Sequence, residues 1–342
     1  MGTRRRRVSV IRSRSKPVKW DDLRMEFISK CTADTISHAA QALKDGHLVA
    51  FPTETVYGLG ADAANQSAVA KIYKAKGRPA DHPLIVHIAS IDAIGDWAED
   101  ISEYAINLAR DFWPGPMTLI FKRSKLAKDF VTGNQNTVGL RVPNQPIALA
   151  LLKEFENLGG KGIAAPSANR FGAVSPTTAQ AVKDELASYL DAANDVILDG
   201  GPCQVGVEST IIDCTAETPQ ILRLGAITKE MIAQSTGLLV IEEPTTDIRV
   251  SGSLESHYSP KAKVVLDINP EIGDGFIAID SIPTPAGAIR LAAPSSIEGY
   301  ARDLYSALRF ADAQGLTKIC VIQPEGDGLA AAIRDRLKRA AN

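Results

Sequence analysis

Cysteine is scarce and unpaired in this sequence: Cys31, Cys203, Cys214 and Cys320 are the four present, and no two form a CxxC spacing. A zinc ribbon and a disulfide framework are therefore not indicated, and a reducing compartment, the cytoplasm, is the expected setting. Long apolar runs are missing as well. None approaches the roughly 18 residues of a membrane-spanning helix, so no membrane association is expected. The spacings GxxxxGK[ST] and GxGxxG do not occur, which leaves a P-loop and a dinucleotide fold without support. His82 and His87 stand five apart with strand residues between them, not at the helical spacing of a zinc pair. His38 and His47 are lone histidines of the kind usually satisfied at a surface.

What is present suits a folded protein of some size. The 342 residues, 45% hydrophobic and 23% charged, suffice for two domains and a sizeable core. Net charge is −2, but residues 1–19 hold eight Lys and Arg and no acid, so removing that +8 leaves −10 for the rest. An acidic body argues against a general nucleic-acid binder, whose folded domain would carry basic excess. The segment 1–26 reads as a basic, disordered tail. A transit peptide, an RNA-binding arm and a true start at Met25 stay open beside that reading.

Beyond the tail, helix and strand alternate, the order of an α/β fold. A helix is expected from about Thr35 to Asp45, capped by Asp34, with Ile36, Ala39, Ala40 and Leu43 on one face and Gly46 at its end. The stretch from Phe51 to Ile88 then concentrates polar signals between buried elements. A strand ends at Pro52, and a turn carries Thr53, Glu54 and Thr55 beside Gly58 and Gly60, where backbone can approach a ligand. A helix near Ser67 to Lys76 puts Lys76 on almost the same face as Val69, and Gly77-Arg78-Pro79 reverses the chain, so two cations face the protein. Helix dipole complement is the plainer account of those cations.

Further on, Ser167 and Asn169 leave a small-residue strand end together, the position where open α/β sheets hold ligands. Ser175 precedes a helix expected near Thr177 and by itself reads first as its cap. Arg141 and Arg223 interrupt apolar strands, which is costly unless an anion pairs with them. From Glu242 to Lys261 the composition is that of a linker. The remainder, from Ala262, gives four short strands and helices near Ile297–Ala313 and Gly328–Ala341, a small α/β domain with no evident catalytic constellation. The expected division is 1–26 tail, 27–230 first domain, 231–261 linker or lid, and 262–342 second domain.

Taken in order, PTETVYGLGADA, KGRP, PLIVH, WPGPMTLI, RVP, PSAN and VESTI followed by LRLG resemble the YrdC-like L-threonylcarbamoyladenylate synthase family. HYSPKA and the C-terminal αβ segment resemble that family's long form. The resemblance covers about Asp34 to the end. It implies a twisted mixed sheet with surrounding helices and an open basic groove, followed by a smaller Rossmann-like α/β domain. The implied reaction joins L-threonine, bicarbonate and ATP into threonylcarbamoyl-AMP and releases pyrophosphate. The product would feed a transferase machinery that modifies the adenosine next to the anticodon in tRNAs reading codons that begin with A, with any tRNA contact indirect.

By motif matching, the resemblance implies a catalytic set of Lys76, Arg78, Ser167 and Asn169. It implies threonine contacts at Thr55, His87, Arg141, Ala165 and Ser209, and ATP contacts at Arg78, His82, Thr137, Ser167, Ser175, Arg223 and linker Tyr258. His82 stands where asparagine is common in the family, and Ser259 where alanine is common. Mg2+ would accompany ATP, with no ligands identifiable from sequence. The linker, with His257 and Tyr258, would fold over the nucleotide. These residue types suit the chemistry: the threonine carbamate attacks the α-phosphorus, so positioning and charge neutralisation dominate and no covalent nucleophile is required. No general base stands out.

Two other classes remain open by sequence. One is an RNA-binding translation accessory, favoured by the tail and opposed by the acidic body. The other is a related carbamoyltransferase of hydrogenase maturation, opposed by the lack of zinc-finger-like cysteine motifs.

Overall fold

A computed structural model describes residues 28–242, 246–252 and 258–342. The basic tail, the alternative start at Met25 and linker residue His257 lie outside the described residues. In chain order the first domain contains β1 (Ile28–Lys30), α1 (Ala33–Lys44), β2 (Val49–Phe51), β3 (Gly58–Asp62), α2 (Gln66–Lys76), β4 (Ile85–His87), α3 (Ile94–Trp97), β5 (Ala98–Glu99), α4 (Glu103–Phe112), β6 (Met117–Arg123), α5 (Asp129–Thr132), β7 (Thr137–Arg141), α6 (Pro146–Asn157), β8 (Ile163–Ala164), α7 (Ala179–Leu186), β9 (Val196–Asp199), β10 (Thr210–Asp213), β11 (Gln220–Arg223), α8 (Lys229–Thr236) and β12 (Ile241–Glu242). Its strands form one mixed sheet in the order β1-β9-β2-β3-β8-β4-β7-β6-β10-β11-β12, with β5 paired to β6.

Both faces of the sheet are covered. Helices α1 and α6 pack together on one face, where Leu43, Phe51, Leu151, Phe155 and Leu198 share a buried cluster. On the other, Val69 and Ile72 of α2 join Trp97, Leu108 and Leu119 in the larger cluster. Helix α1 starts earlier than the sequence suggests: Thr32 is the N-cap, and Thr32 and Thr35 cap each other reciprocally. Asp34 lies in the first turn instead, where its charge complements the helix N-terminus.

The threonine turn is shorter than expected. Gly58 and Gly60 belong to β3, antiparallel to β2 and β8. Two glycines masked this strand, because its close packing leaves no room for the usual β-branched side chains. A Cβ on Gly60 would stand 2.7 Å from Ile163 Cγ2 and 2.9 Å from Phe51 Cε1. Gly60 therefore serves sheet packing and not ligand approach.

The second domain comprises β13 (Lys263–Leu266), β14 (Gly275–Ile277), β15 (Ile289–Ala292), α9 (Ile297–Ala313), β16 (Lys318–Val321) and α10 (Leu329–Ala341). Its four strands are all parallel, in the order β13-β16-β14-β15. The first domain runs past the boundary expected at residue 230. Helix α8 buries Ile232 in the first domain's core, and β12 pairs with β11, so residues 231–242 extend the first domain. The two domains share one apolar cluster, in which Val56, Val174 and Val207 of the first meet Tyr258 of the linker and Tyr300, Leu304 and Tyr305 of α9.

Replacing Gly60 with Ala should overpack the β2-β3-β8 contact and cost about 1 to 3 kcal/mol. Thermal melting should show a clear drop, while Gly95→Ala, whose added methyl meets nothing within 4 Å, leaves the melting temperature unchanged or slightly raised. Equal melting of the two variants would refute the packing role.

Candidate active site

One cavity collects most of the residues singled out in the sequence. Its walls include Thr55, Lys76, Arg78, His87, Arg141, Ala165, Ser167, Ser209, Arg223 and Tyr258, together with Phe171, Glu208, Ser251 and Gly252. Each arrives by a local device. Gly77 caps α2 in the left-handed conformation, at φ +63°, so Lys76 on the last helical turn and Arg78 beyond the reversal enter the same space. His87 and Arg141 sit side by side because β4 and β7 are parallel and in register at that pair. The PSAN run lies against β3 through a Gly58–Ser167 bridge. Ser209 and Arg223 come from the neighbouring β10 and β11 segments, and Arg223 Nε donates to Ser209 O at 3.0 Å while Nη2 donates to Ser209 Oγ at 3.0 Å.

Charge around this space is lopsided. Arg141 pairs with Glu54 at 2.7 Å, so the anion that its strand position called for is in part the protein's own. Lys76, only 2% exposed, donates to the carbonyls of Ser167 at 2.6 Å and Asn169 at 2.5 Å. Arg78 donates to Pro83 O at 3.0 Å and Ser251 Oγ at 3.2 Å and lies over the Phe171 ring. Arg223 Nη1 reaches Ser251 O at 2.8 Å. Among the described residues, Lys76, Arg78 and Arg223 make no ion pair with a carboxylate. Burial, then the neighbouring Arg78, holds the Lys76 amine well below its usual range. Burial also lowers Arg78, to about 10.

Two further groups are shifted. Burial, and then Arg141, pushes His87 down to about 3, so the imidazole is neutral near pH 7. Glu208 would be raised by burial, but Arg336, Arg223 and a hydrogen bond from Ser175 outweigh that and hold it at about 2. It is an ionised carboxylate in the cavity wall.

Four of the residues named from the sequence stand elsewhere. Asn169 turns its amide to its own loop, donating to Arg170 O at 2.8 Å and Ala173 O at 2.7 Å, and meets the site only through its carbonyl on Lys76. His82 lies behind the wall, edge-on to Phe171. Thr137 lines an adjoining small cavity that shares Ile85 and Ser251 with the first. Ser175 is fully buried and donates to Glu208 Oε1 at 2.7 Å; it is no helix cap, since Thr178 caps α7.

Sequence reasoning missed Glu208, Phe171 and Ser251 in the wall and two residues of the second domain behind it. Tyr305 OH and Arg336 Nε each donate to Glu208 Oε2 at 2.9 Å. Arg336 was findable: it falls on the stripe Ile333, Leu337 and Ala340 of α10, a charge on a buried helix face.

Residues 41–225 match the family model Sua5/YciO/YrdC, described as "Telomere recombination". Residues 227–342 match the model described as "Threonylcarbamoyl-AMP synthase, C-terminal domain". The chain belongs to the Sua5/YciO/YrdC family, in its long form. It is 37% identical to a threonylcarbamoyl-AMP synthase of Pyrococcus abyssi, across 89% of this chain and 93% of that one. With the Bacillus subtilis protein of the same name, identity is 38% across 90% and 92% of the two chains. The structure of P. abyssi Sua5 complexed with L-threonine superposes with a TM-score of 0.82 at 36% identity, covering 92% of this chain and 96% of that one.

His87 supplies a pH test. Its folded pKa lies below its unfolded value of about 6.5, so the unfolded chain binds the extra proton and stability declines as pH falls from about 6.5 toward 3. His87→Gln should flatten the acid side of a melting-temperature profile between pH 6.5 and 4. An unchanged slope would mean that His87 is not held neutral.

Proposed function

We propose that the protein is an L-threonylcarbamoyladenylate synthase, joining L-threonine, bicarbonate and ATP into threonylcarbamoyl-AMP with release of pyrophosphate. The observation that carries this is the convergence of buried Lys76, Arg78 and Arg223, none with a carboxylate partner among the described residues, on a cavity whose other walls hold Arg141, His87 and small hydroxyl residues. Buried cations left without carboxylates call for an anion from outside, and a triphosphate supplies several charges at once.

Arg141 can take the threonine carboxylate by exchanging part of its bond with Glu54, and Thr55 and neutral His87 lie beside it for the amine and hydroxyl. The threonine amine, as its free base, adds to bicarbonate with loss of water, or to CO2 with loss of a proton, and gives the carbamate in either case. A carbamate oxygen then attacks the α-phosphorus, forming the mixed anhydride as pyrophosphate leaves. Lys76 and Arg78 would oppose the charge that develops on the departing oxygens. Mg2+ fits best as part of the ATP substrate. Among the described residues no cluster of three metal-ligating side chains is present. Glu208 is occupied by Ser175, Tyr305 and Arg336, while Glu54 meets Arg141 through Oε1 and keeps Oε2 without a partner, a single carboxylate oxygen and not a metal cage.

The walls enclose only about 50 Å³, far below the several hundred Å³ of a ligand pocket. Ser251, Gly252 and Tyr258 form part of its wall, so in this reading the linker yields as a nucleotide enters and then closes over it. Product would pass to a tRNA threonylcarbamoyl transferase machinery, and with all four cysteines unbridged the cytoplasm is the setting we favour. An RNA-binding accessory is disfavoured because these cations point inward, away from any polymer backbone.

Pyrophosphate release from ATP should be slow unless threonine and bicarbonate are both present; equal release without threonine would sink the synthase assignment. In the same assay Arg78→Ala should lose roughly 10- to 100-fold in kcat/KM, the worth of one charge-assisted bond. Arg141→Ala should act chiefly on the KM for threonine.

A further inference from the structure

Behind the nucleotide side of the cavity lies a buried charged cluster built across the two domains. Glu208 stands next to Ser209, and both its oxygens are engaged. Oε1 accepts from Ser175 Oγ at 2.7 Å, and Oε2 accepts from Tyr305 OH and from Arg336 Nε, each at 2.9 Å. Arg336, 1% exposed, also donates through Nη2 to Leu224 O at 2.8 Å, the residue after Arg223. The same two second-domain residues hold the linker: the Tyr305 ring stacks on Tyr258 with centroids 5.6 Å apart, and the Arg336 guanidinium lies 5.5 Å from the Tyr258 ring. Ser259 adds a backbone bond to Gly172 O at 3.0 Å, which fastens the linker to the loop leading to Ser175.

Docking two domains does not need such a cluster. Apolar side chains of similar volume hold an interface as well as a buried ion pair or better, and a network of this kind is costly once one member is lost. What the cluster adds is geometry: it fixes Ser175, the backbone beside Arg223 and the Tyr258 ring relative to one another. Thr55, His87 and Arg141 make no hydrogen bond to it among the described residues.

We propose that Tyr305 and Arg336 of the second domain are positioning residues of the synthase site, acting through Glu208 on Ser175 and through Tyr258 on the linker, so that nucleotide binding depends on the docked second domain. This rests on the function proposed above. The second domain is then a working part of the ATP end of the site.

Full-length Tyr305→Phe keeps the ring and its stacking and removes one hydroxyl. It should melt close to wild type and raise the KM for ATP by roughly 3- to 10-fold, with the KM for threonine within about twofold. Arg336→Met should do more, although the unpaired Glu208 could unfold it, so Tyr305→Phe decides. A double-mutant cycle separates this role from general support. Ser175→Ala should raise the ATP KM less in the Tyr305→Phe background than in wild type, because both act through one carboxylate. An unchanged ATP KM in folded Tyr305→Phe, equal rises for both substrates, or strictly additive effects in the cycle would each overturn the proposal. Wild-type protein without threonine-dependent turnover would overturn the synthase assignment and this inference with it.

Discussion

Taking an ammonium or guanidinium group out of water costs several kcal/mol even after a protein relaxes around it, and this chain does so four times around one small space. Lys76, Arg78, Arg141 and Arg223 are all buried, and among the described residues only Arg141 meets a carboxylate directly. The others are held by carbonyl and hydroxyl oxygens from three directions: the PSAN loop for Lys76, the segment before β4 for Arg78, and Ser209 with linker Ser251 for Arg223. Those oxygens fix where each cation points without neutralising it. The architecture of the first domain follows from the need to bring such loops together, and the mixed sheet does this by ending β4, β7, β8 and β11 around one cavity.

Strongly patterned elements were legible in the sequence. Helix α9 has the expected bounds, and α1, α2 and α10 lie within a few residues of theirs, because apolar periodicity marks them. Short or glycine-bearing elements were not legible. Strand β3 reads as a turn because Gly58 and Gly60 serve close contacts with Phe51 on the neighbouring strand and with Ile163 and Ala165 about a hundred residues on. The domain boundary expected at residue 230 falls short for a related reason: a two-residue strand such as β12 has no periodicity to detect and exists through its partner β11.

The candidate site divides along the same line. Lys76, Arg78, Arg141 and Arg223 could be suspected individually as cations on buried positions, yet their convergence depends on register and topology. Ser175 and Asn169 show the limit more sharply. Each is a polar residue beside the right loop, and only the structure separates one that faces Glu208 from one that closes its own turn. Family resemblance named both, since motif matching transfers a residue type and not the direction of its side chain. The second domain looked inert because its contribution is a tyrosine and an arginine spread over two helices, with no motif joining them.

Tyr258 ties these observations together. It is one of the few non-glycine residues with a left-handed backbone, at φ +63°, a conformation that costs an ordinary side chain about 1 kcal/mol or more. Strain of that size persists only where surrounding contacts hold it, and here they come from three parts of the chain: the Tyr305 ring, the Arg336 guanidinium and the Gly172 carbonyl on Ser259. Gly252 is fitted to the same arrangement, since a Cβ there would stand 2.4 Å from the Tyr258 hydroxyl. The contacts that hold this ring in its strained conformation come largely from the second domain. Under the proposed role of the second domain, access to the cation cavity is coupled to its docking, and the buried tyrosine at the end of a small polar linker is where the two meet.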